Sequence, residues 1–317
     1  MIAAALIALL ASTQVLGPDM FEVDWIRPGG KVRLLRELLP DGPPGPAELI
    51  ALAADESRAA IREEGGFRVL PGETRIPKAR AAAFSPDGQR IAAALQSGEI
   101  VATDLNGESR QPLGHLRGAE RLAWSKGVVA AGKGGARLLP DRTLTEQPVR
   151  ALAAVGDRIA IVTPAALLLF DGAGKLLLRL RVRASALALS AGGSVAWSVG
   201  REVWLMDAAM KPKRLAREHE SIHQIVFAGE EPVWVADGAR RAGGGKLDCA
   251  RSLDSARGVM ATCSDRVVNW QDPEHALYEM GDCFVTLRWA VPLGDGLLVA
   301  STLRDRRFSA PCGKPAF

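Results

Sequence analysis

The stretch that most constrains this chain is Ala81–Gly107, AAAFSPDGQRIAAALQSGEIVATDLNG. It divides into three short apolar runs separated by turn residues. Ala81–Phe84 leads into Ser85-Pro86-Asp87-Gly88, where Pro presets φ, Asp accepts hydrogen bonds from the backbone ahead, and Gly accepts positive φ. Arg90–Leu95 is apolar at successive positions, the pattern of a strand buried on both faces. Gln96-Ser97-Gly98 turns the chain again, and Glu99–Thr103 runs to a third turn at Asp104-Leu105-Asn106-Gly107. Strands this short do not bury a core as a lone sheet, so the unit must stack on others like it.

Weaker copies follow. The second unit is Glu120–Asp141, preceded by Gly114-His115. The third is Val149–Asp171, and the fourth is Ser185–Asp207, ending Val203-Trp204-Leu205-Met206-Asp207. The fifth starts at Ile222, the sixth spans Ala250–Asp272, and the seventh starts at Phe284. First-strand landmarks at Phe84, Trp124, Ala154, Leu189, Phe227, Ala256 and Trp289 recur at a mean step of about 34 residues, shorter than the roughly 40–45 of a WD40 repeat. FSPDG, a strand, a Gly turn and a strand ending in Asp resemble the blade of WD40 and TolB-type β-propellers. The resemblance covers about Phe67–Phe317. It implies an all-β fold, a propeller of about seven short blades, with outer strands near Lys175–Val182 and Ala276–Met280. Phe67–Leu70 is then expected to close the ring against the last blade, because closure removes sheet edges that invite aggregation.

Residues 18–66 read differently. Phe21–Ile26 alternates like a short strand, Val32–Leu39 reads as a short helix stopped by Pro40, and 41–45 is a rigid linker. Pro46–Glu64 reads as a helix with Leu49, Leu52, Ala53 and Ile61 on one face and Gly65-Gly66 at its end. A small N-terminal helical segment is therefore expected before the propeller, 67–317. Residues 2–11, IAAALIALLA, are too short to span a bilayer comfortably and suit the apolar core of a signal peptide, 1–17, although no Lys or Arg precedes them. An uncleaved N-terminal anchor is the alternative, and the only expected contact with a membrane. Export to the periplasm or cell envelope fits four cysteines in the C-terminal third, Cys249, Cys263, Cys283 and Cys312, for which Cys249–Cys263 and Cys283–Cys312 is the preferred pairing.

Composition excludes some classes. With 48% hydrophobic and 24% charged residues, the chain has material for a large core. A net charge of +4 and a single tyrosine, Tyr278, argue against nucleic-acid binding, which needs a concentrated basic face and stacking platforms.

Chemical motifs are sparse. His219-Glu220-Ser221-Ile222-His223 matches HExxH, which on a helix sets two His on one face for zinc with Glu as general base. Here it falls where a blade begins, in parallel with His115, and on a strand i and i+4 lie roughly 13 Å apart, too far for one metal. Gly127–Gly134 resembles a P-loop but lacks the Ser/Thr for Mg²⁺ and reads as a strand and turn; Gly243-Gly244-Gly245-Lys246 reads as a loop. No catalytic, cofactor-binding or metal residue is assigned, and no cofactor is expected. Arg179, Arg181 and Arg183 alternate along an outer strand, and with Arg240 and Arg241 they form the candidate binding rim. The expected function is a non-catalytic protein-binding scaffold with a protein partner. The alternatives are a hydrolase or lactonase-like propeller with a metal or carboxylate site in its channel, zinc at 219–223, or a polyanion binder.

Overall fold

A computed structural model describes residues 20–303 apart from 29, 39–48, 64, 73, 108, 208, 242–243, 255–258, 264, 270–271 and 280–284. The chain is a β-propeller of eight four-stranded antiparallel blades. In chain order the innermost strands of blades I to VII are Leu49–Leu52, Ala79–Phe84, Ala119–Trp124, Ala151–Val155, Leu187–Leu189, Gln224–Ala228 and Ser252–Asp254. Each is followed by three strands running outward. Blade VIII takes its two inner strands, Val285–Leu293 and Gly296–Leu303, from the end of the chain and its two outer strands, Met20–Arg27 and Gly30–Leu38, from the beginning.

The second strand of each blade shows why the fold stacks. Ile91 and Ala93 pack toward blade I, while Ala92 and Ala94 pack toward blade III, and all four are wholly buried. Ile159 and Ile161 face blade III, and Ala160 and Val162 face blade V. A sheet with apolar residues on both faces has to be sandwiched between neighbours, and the resulting inter-blade cores run round the ring. The last one, Val291, Leu293, Leu298 and Ala300 of blade VIII against Ala59, Ile61 and Leu70 of blade I, closes it. Strand prolines respect this layout. Pro77, Pro112, Pro212 and Pro273 lie on outermost strands and Pro292 on an innermost one, where a missing N–H need not interrupt a ladder, and Pro232 sits near the start of the second strand of blade VI, one residue before its pairing with the third strand begins at Val233.

Turn chemistry explains the repeat. Gly88 donates to the Ser85 carbonyl at 2.8 Å with φ of 67°, and Asp87 accepts from the Gln89 N–H and the Ser85 hydroxyl. The aspartates that end third strands cap the next turn: Asp104 accepts from Ser109 N–H, Asp171 from Ala173 and Lys175, and Asp207 from Ala209. They hold hairpins. Each ring unit thus has a turn face, where inner strands finish, and a connector face, where one blade passes to the next.

Three expectations are corrected. There are eight blades rather than about seven, because residues 49–77 form a complete blade I. The two expected helices are strands instead, Gly30–Leu38 for the first and Leu49–Leu52 with Ala59–Glu63 for the second, while the strand expected at Phe21–Ile26 is present as Met20–Arg27. Helix propensity differs by only tenths of a kcal/mol among ordinary residues, and burial on two sides outweighs it. Ala59 and Ile61 are buried against blade VIII and Ala60 against blade II, a demand one helical stripe does not meet. Phe67–Leu70 does not close the ring either; it is the third strand of blade I, between Ala59–Glu63 and Arg75–Pro77. Closure falls to Met20–Arg27, in register with Gly296–Leu303 from Met20↔Leu303 to Ile26↔Leu297.

Cys249 and Cys263 are joined, with Cα atoms 5.0 Å apart, which pins the start of blade VII to the end of its second strand. Cys283 and Cys312 lie outside the described residues. With the bridged cysteines 14 positions apart in sequence, the double variant Cys249→Ser/Cys263→Ser should lose about 3 kcal/mol of stability. Urea unfolding with and without dithiothreitol checks this: reductant should lower the midpoint of the parent by more than that of the variant, which keeps only Cys283 and Cys312.

Candidate apolar pit at the channel mouth

Four consecutive inner strands, of blades I to IV, finish on the turn face around a cavity of about 620 Å³. Its walls are Leu52, Phe84, Leu122, Trp124 and Val155, with Ala51, Ala54, Ala82, Ala83, Ala123 and Ala154 filling the gaps between them. The alternation of large and small follows from the strand ends. Phe84 and Trp124 are the last residues of their inner strands, where the chain must leave the packed interface for a turn. Val155 is 37% exposed, unusual for a large apolar residue in this ring.

The rim is polar. The Arg90 guanidinium lies 5.2 Å from the centroid of the Trp124 ring, holding the indole by cation–π attraction. Lys126 pairs with Asp157 at 2.9 Å, and Asp157 also accepts from the Gly172 N–H. The hydrogen bond from Lys126 holds the Asp157 carboxyl below its ordinary range. Asp87 and Asp55 are lowered in the same way, first by the hydroxyls of Ser85 and Ser57. Ser85, Ser125 and Ser190 occupy one repeat position, just past the inner strand. Ser85 bonds within its own turn, and Ser190 donates to Glu230 of the next blade, which lowers the Glu230 carboxyl. Ser125, whose turn Ser125-Lys126-Gly127 carries no aspartate, is buried at the pit with no partner for its Oγ among the described residues.

No protein-family model matches this chain, and no curated protein matches it either.

The sequence-derived candidates lie elsewhere. Arg179 is on the outermost strand of blade IV, and Arg181 and Arg183 follow it toward blade V; all three are exposed beside half-buried Leu178, Leu180 and Val182. Arg240 is on the third strand of blade VI, donating to the Ala239 carbonyl and 3.5 Å from Asp248. Arg241 is on the same strand, its side chain outside the description. Blade V separates the two groups.

His219–His223 is a bent, non-helical connection between blades V and VI, with both histidines and Glu220 exposed. Its supposed parallel with His115 is off by two residues. Leu116 donates to the carbonyl of Gly98, and Ile222 to that of Gly200, so Ile222 matches Leu116 and Ser221 matches His115. Gly127–Gly134 is a strand and a tight turn, with Gly132 paired to Gly135.

The pit was not anticipated, yet its signal was present. Phe84, Trp124 and Ala154 are the repeat's own landmarks, and two bulky aromatics directly before a polar turn mark apolar surface at a strand's open end.

Proposed function

We propose that this protein is a non-catalytic scaffold of the cell envelope that binds a protein partner through the apolar pit of its turn face. The observation that carries the reading is the lining of the pit. Eleven apolar side chains on four blades dominate the lining, with Ser85, Ser125 and Lys126 beside them, and offer an environment suited to burying a partner's apolar side chain. The rim charges of Arg90, Lys126 and Asp157 would set orientation and encounter rate more than affinity. The bridge Cys249–Cys263 supports an oxidising compartment, and hence export. Among the described residues no helix is long and apolar enough to cross a membrane.

Affinity capture from native envelope extract, with the parent chain and with Val155→Asp and Trp124→Ala as baits, tests this. A partner held by the parent should be lost from both variants; truncating a central aromatic anchor is expected to weaken binding by at least about 30-fold, or 2 kcal/mol. Undiminished capture by both would refute the pit as the binding site. Stoichiometric zinc in the purified protein, lost on His219→Ala and His223→Ala, would instead favour the metal-dependent alternative.

A further inference from the structure

The connector face carries a feature independent of the pit. Lys78 and Arg80 open blade II, Arg117 lies between blades II and III, Arg121 is on the inner strand of blade III, and Lys133 is in that blade's second turn. The backbone draws them together. The Lys78 carbonyl accepts from Gln96 at 2.7 Å, in the same turn whose Gly98 accepts from Leu116 at 2.8 Å. A Cβ on Gly98 would come 3.1 Å from the Arg117 Cα, and one on Gly134 would come 3.0 Å from the Arg117 carbonyl oxygen, so the Lys133 turn lies against the same connection. Arg62 of blade I reaches across and donates from Nη2 to the Arg80 carbonyl at 2.9 Å.

Nearby carboxylates leave this group strongly positive. Glu120 sits between two of its members, 3.8 Å from Arg121 and 3.9 Å from Lys133. Glu63 is taken by Arg68 and Arg75, and Glu99 faces Arg110. Glu146, beside Gly135, is the next acidic group outward. The face continues basic through Arg150, Arg181 and Arg183, while on blades V and VI Glu218, Glu220, Asp237 and Asp248 are interspersed with Arg201, Arg217, Arg240 and Lys246, the last two ion-paired to Asp248.

Lys78, Arg80, Arg117 and Lys133 are all exposed. A cluster of exposed lysines and arginines that outnumbers its carboxylates is complementary in charge to an anionic bilayer surface. We infer that the connector face of blades I to IV binds anionic phospholipid headgroups, with the ring tilted so that blades V and VI stand away from the bilayer and the pit faces outward.

The test is co-sedimentation of the purified full-length chain with vesicles of phosphatidylcholine alone or containing about one-third phosphatidylglycerol. Anionic vesicles should be bound at least about tenfold more tightly than neutral ones, with the preference collapsing at about 0.5 M salt. Arg80→Glu/Arg117→Glu should abolish the preference, and the milder Arg80→Gln/Arg117→Gln and Lys133→Glu should each weaken it. Lys213→Glu/Arg214→Glu, on the outermost strand of blade V, should leave it unchanged. Cooperative thermal melting of each variant shows that the ring is intact, and if the double Glu variant fails to melt cooperatively, the Gln and Lys133 variants decide. Equal binding to both vesicle types, an undiminished preference in the variants, or retention only on a polyanionic resin would overturn the inference. A failure here leaves partner capture by the pit untouched, and the reverse also holds.

Discussion

Val299→Pro is expected to abolish the cooperative folded state. Val299 lies in Gly296–Leu303, which is paired on one side with Val285–Leu293 and on the other with Met20–Arg27, opposite Ala290 and Asp24 respectively. A residue in such a strand has its N–H bonded to one neighbour or the other, and proline both removes that bond and crowds the ladder, at a cost of about 3 kcal/mol or more. The location multiplies the effect. This strand joins the two ends of the chain, so breaking it opens the ring and exposes two sheet edges, the condition that promotes aggregation. Val299→Ala keeps the N–H and removes two methyl groups, for about 2 kcal/mol. Thermal melting with light scattering separates the two: the alanine variant should melt cooperatively at lower temperature, and the proline variant should aggregate without a transition. If both melt alike, the N-terminal strand does not hold the ring shut.

The second large effect is at Trp197. It is among the largest fully buried side chains, stacked on Trp204 with ring centroids 6.3 Å apart and planes inclined by 13°. It packs in the interface between blades IV and V with Leu167, Leu169 and Met206. Trp197→Ala should cost about 3–5 kcal/mol, since eight tightly packed interfaces leave little room for collapse around the cavity. Trp197→Phe should cost far less. The indole Nε1 is buried with no hydrogen-bond partner among the described residues, and removing it relieves a penalty of about 1–3 kcal/mol that offsets part of the lost contact. Urea denaturation of the three proteins checks the order. A phenylalanine variant as unstable as the alanine one would mean that the indole N–H has a partner.

Much of the fold was legible in the residues. Six of the seven units, starting from the one at Ala81–Phe84, are whole blades and the seventh supplies the two inner strands of blade VIII, because apolar second strands and Asp-Gly turns are local properties that survive in any context. Blade I was not, although its turn repeats the same chemistry. Glu56 donates to the Ala53 carbonyl at φ of 59°, and Asp55 accepts from the Ser57 N–H and hydroxyl, as Asp87 does from Gln89 and Ser85. A glutamate in the glycine position and a run of Ala, Arg and Glu around it hid the pattern behind helix propensity. Alignment of Ala53-Ala54-Asp55-Glu56-Ser57-Arg58 on Ser85-Pro86-Asp87-Gly88-Gln89-Arg90 would have revealed it.

What the amino-acid order determined by itself was local: strands buried on both faces and the turns between them. Which cysteines pair was left open by the order of residues, and the fold joins Cys249 to Cys263. Which residues share a site was decided by the ring alone. Leu52 and Val155 stand about a hundred positions apart and line one pit, and Met20 meets Leu303 across nearly the whole chain. Neighbouring blades touch through inter-blade faces whose partners are set by the closing angle of the ring, and no periodicity within one strand encodes that angle.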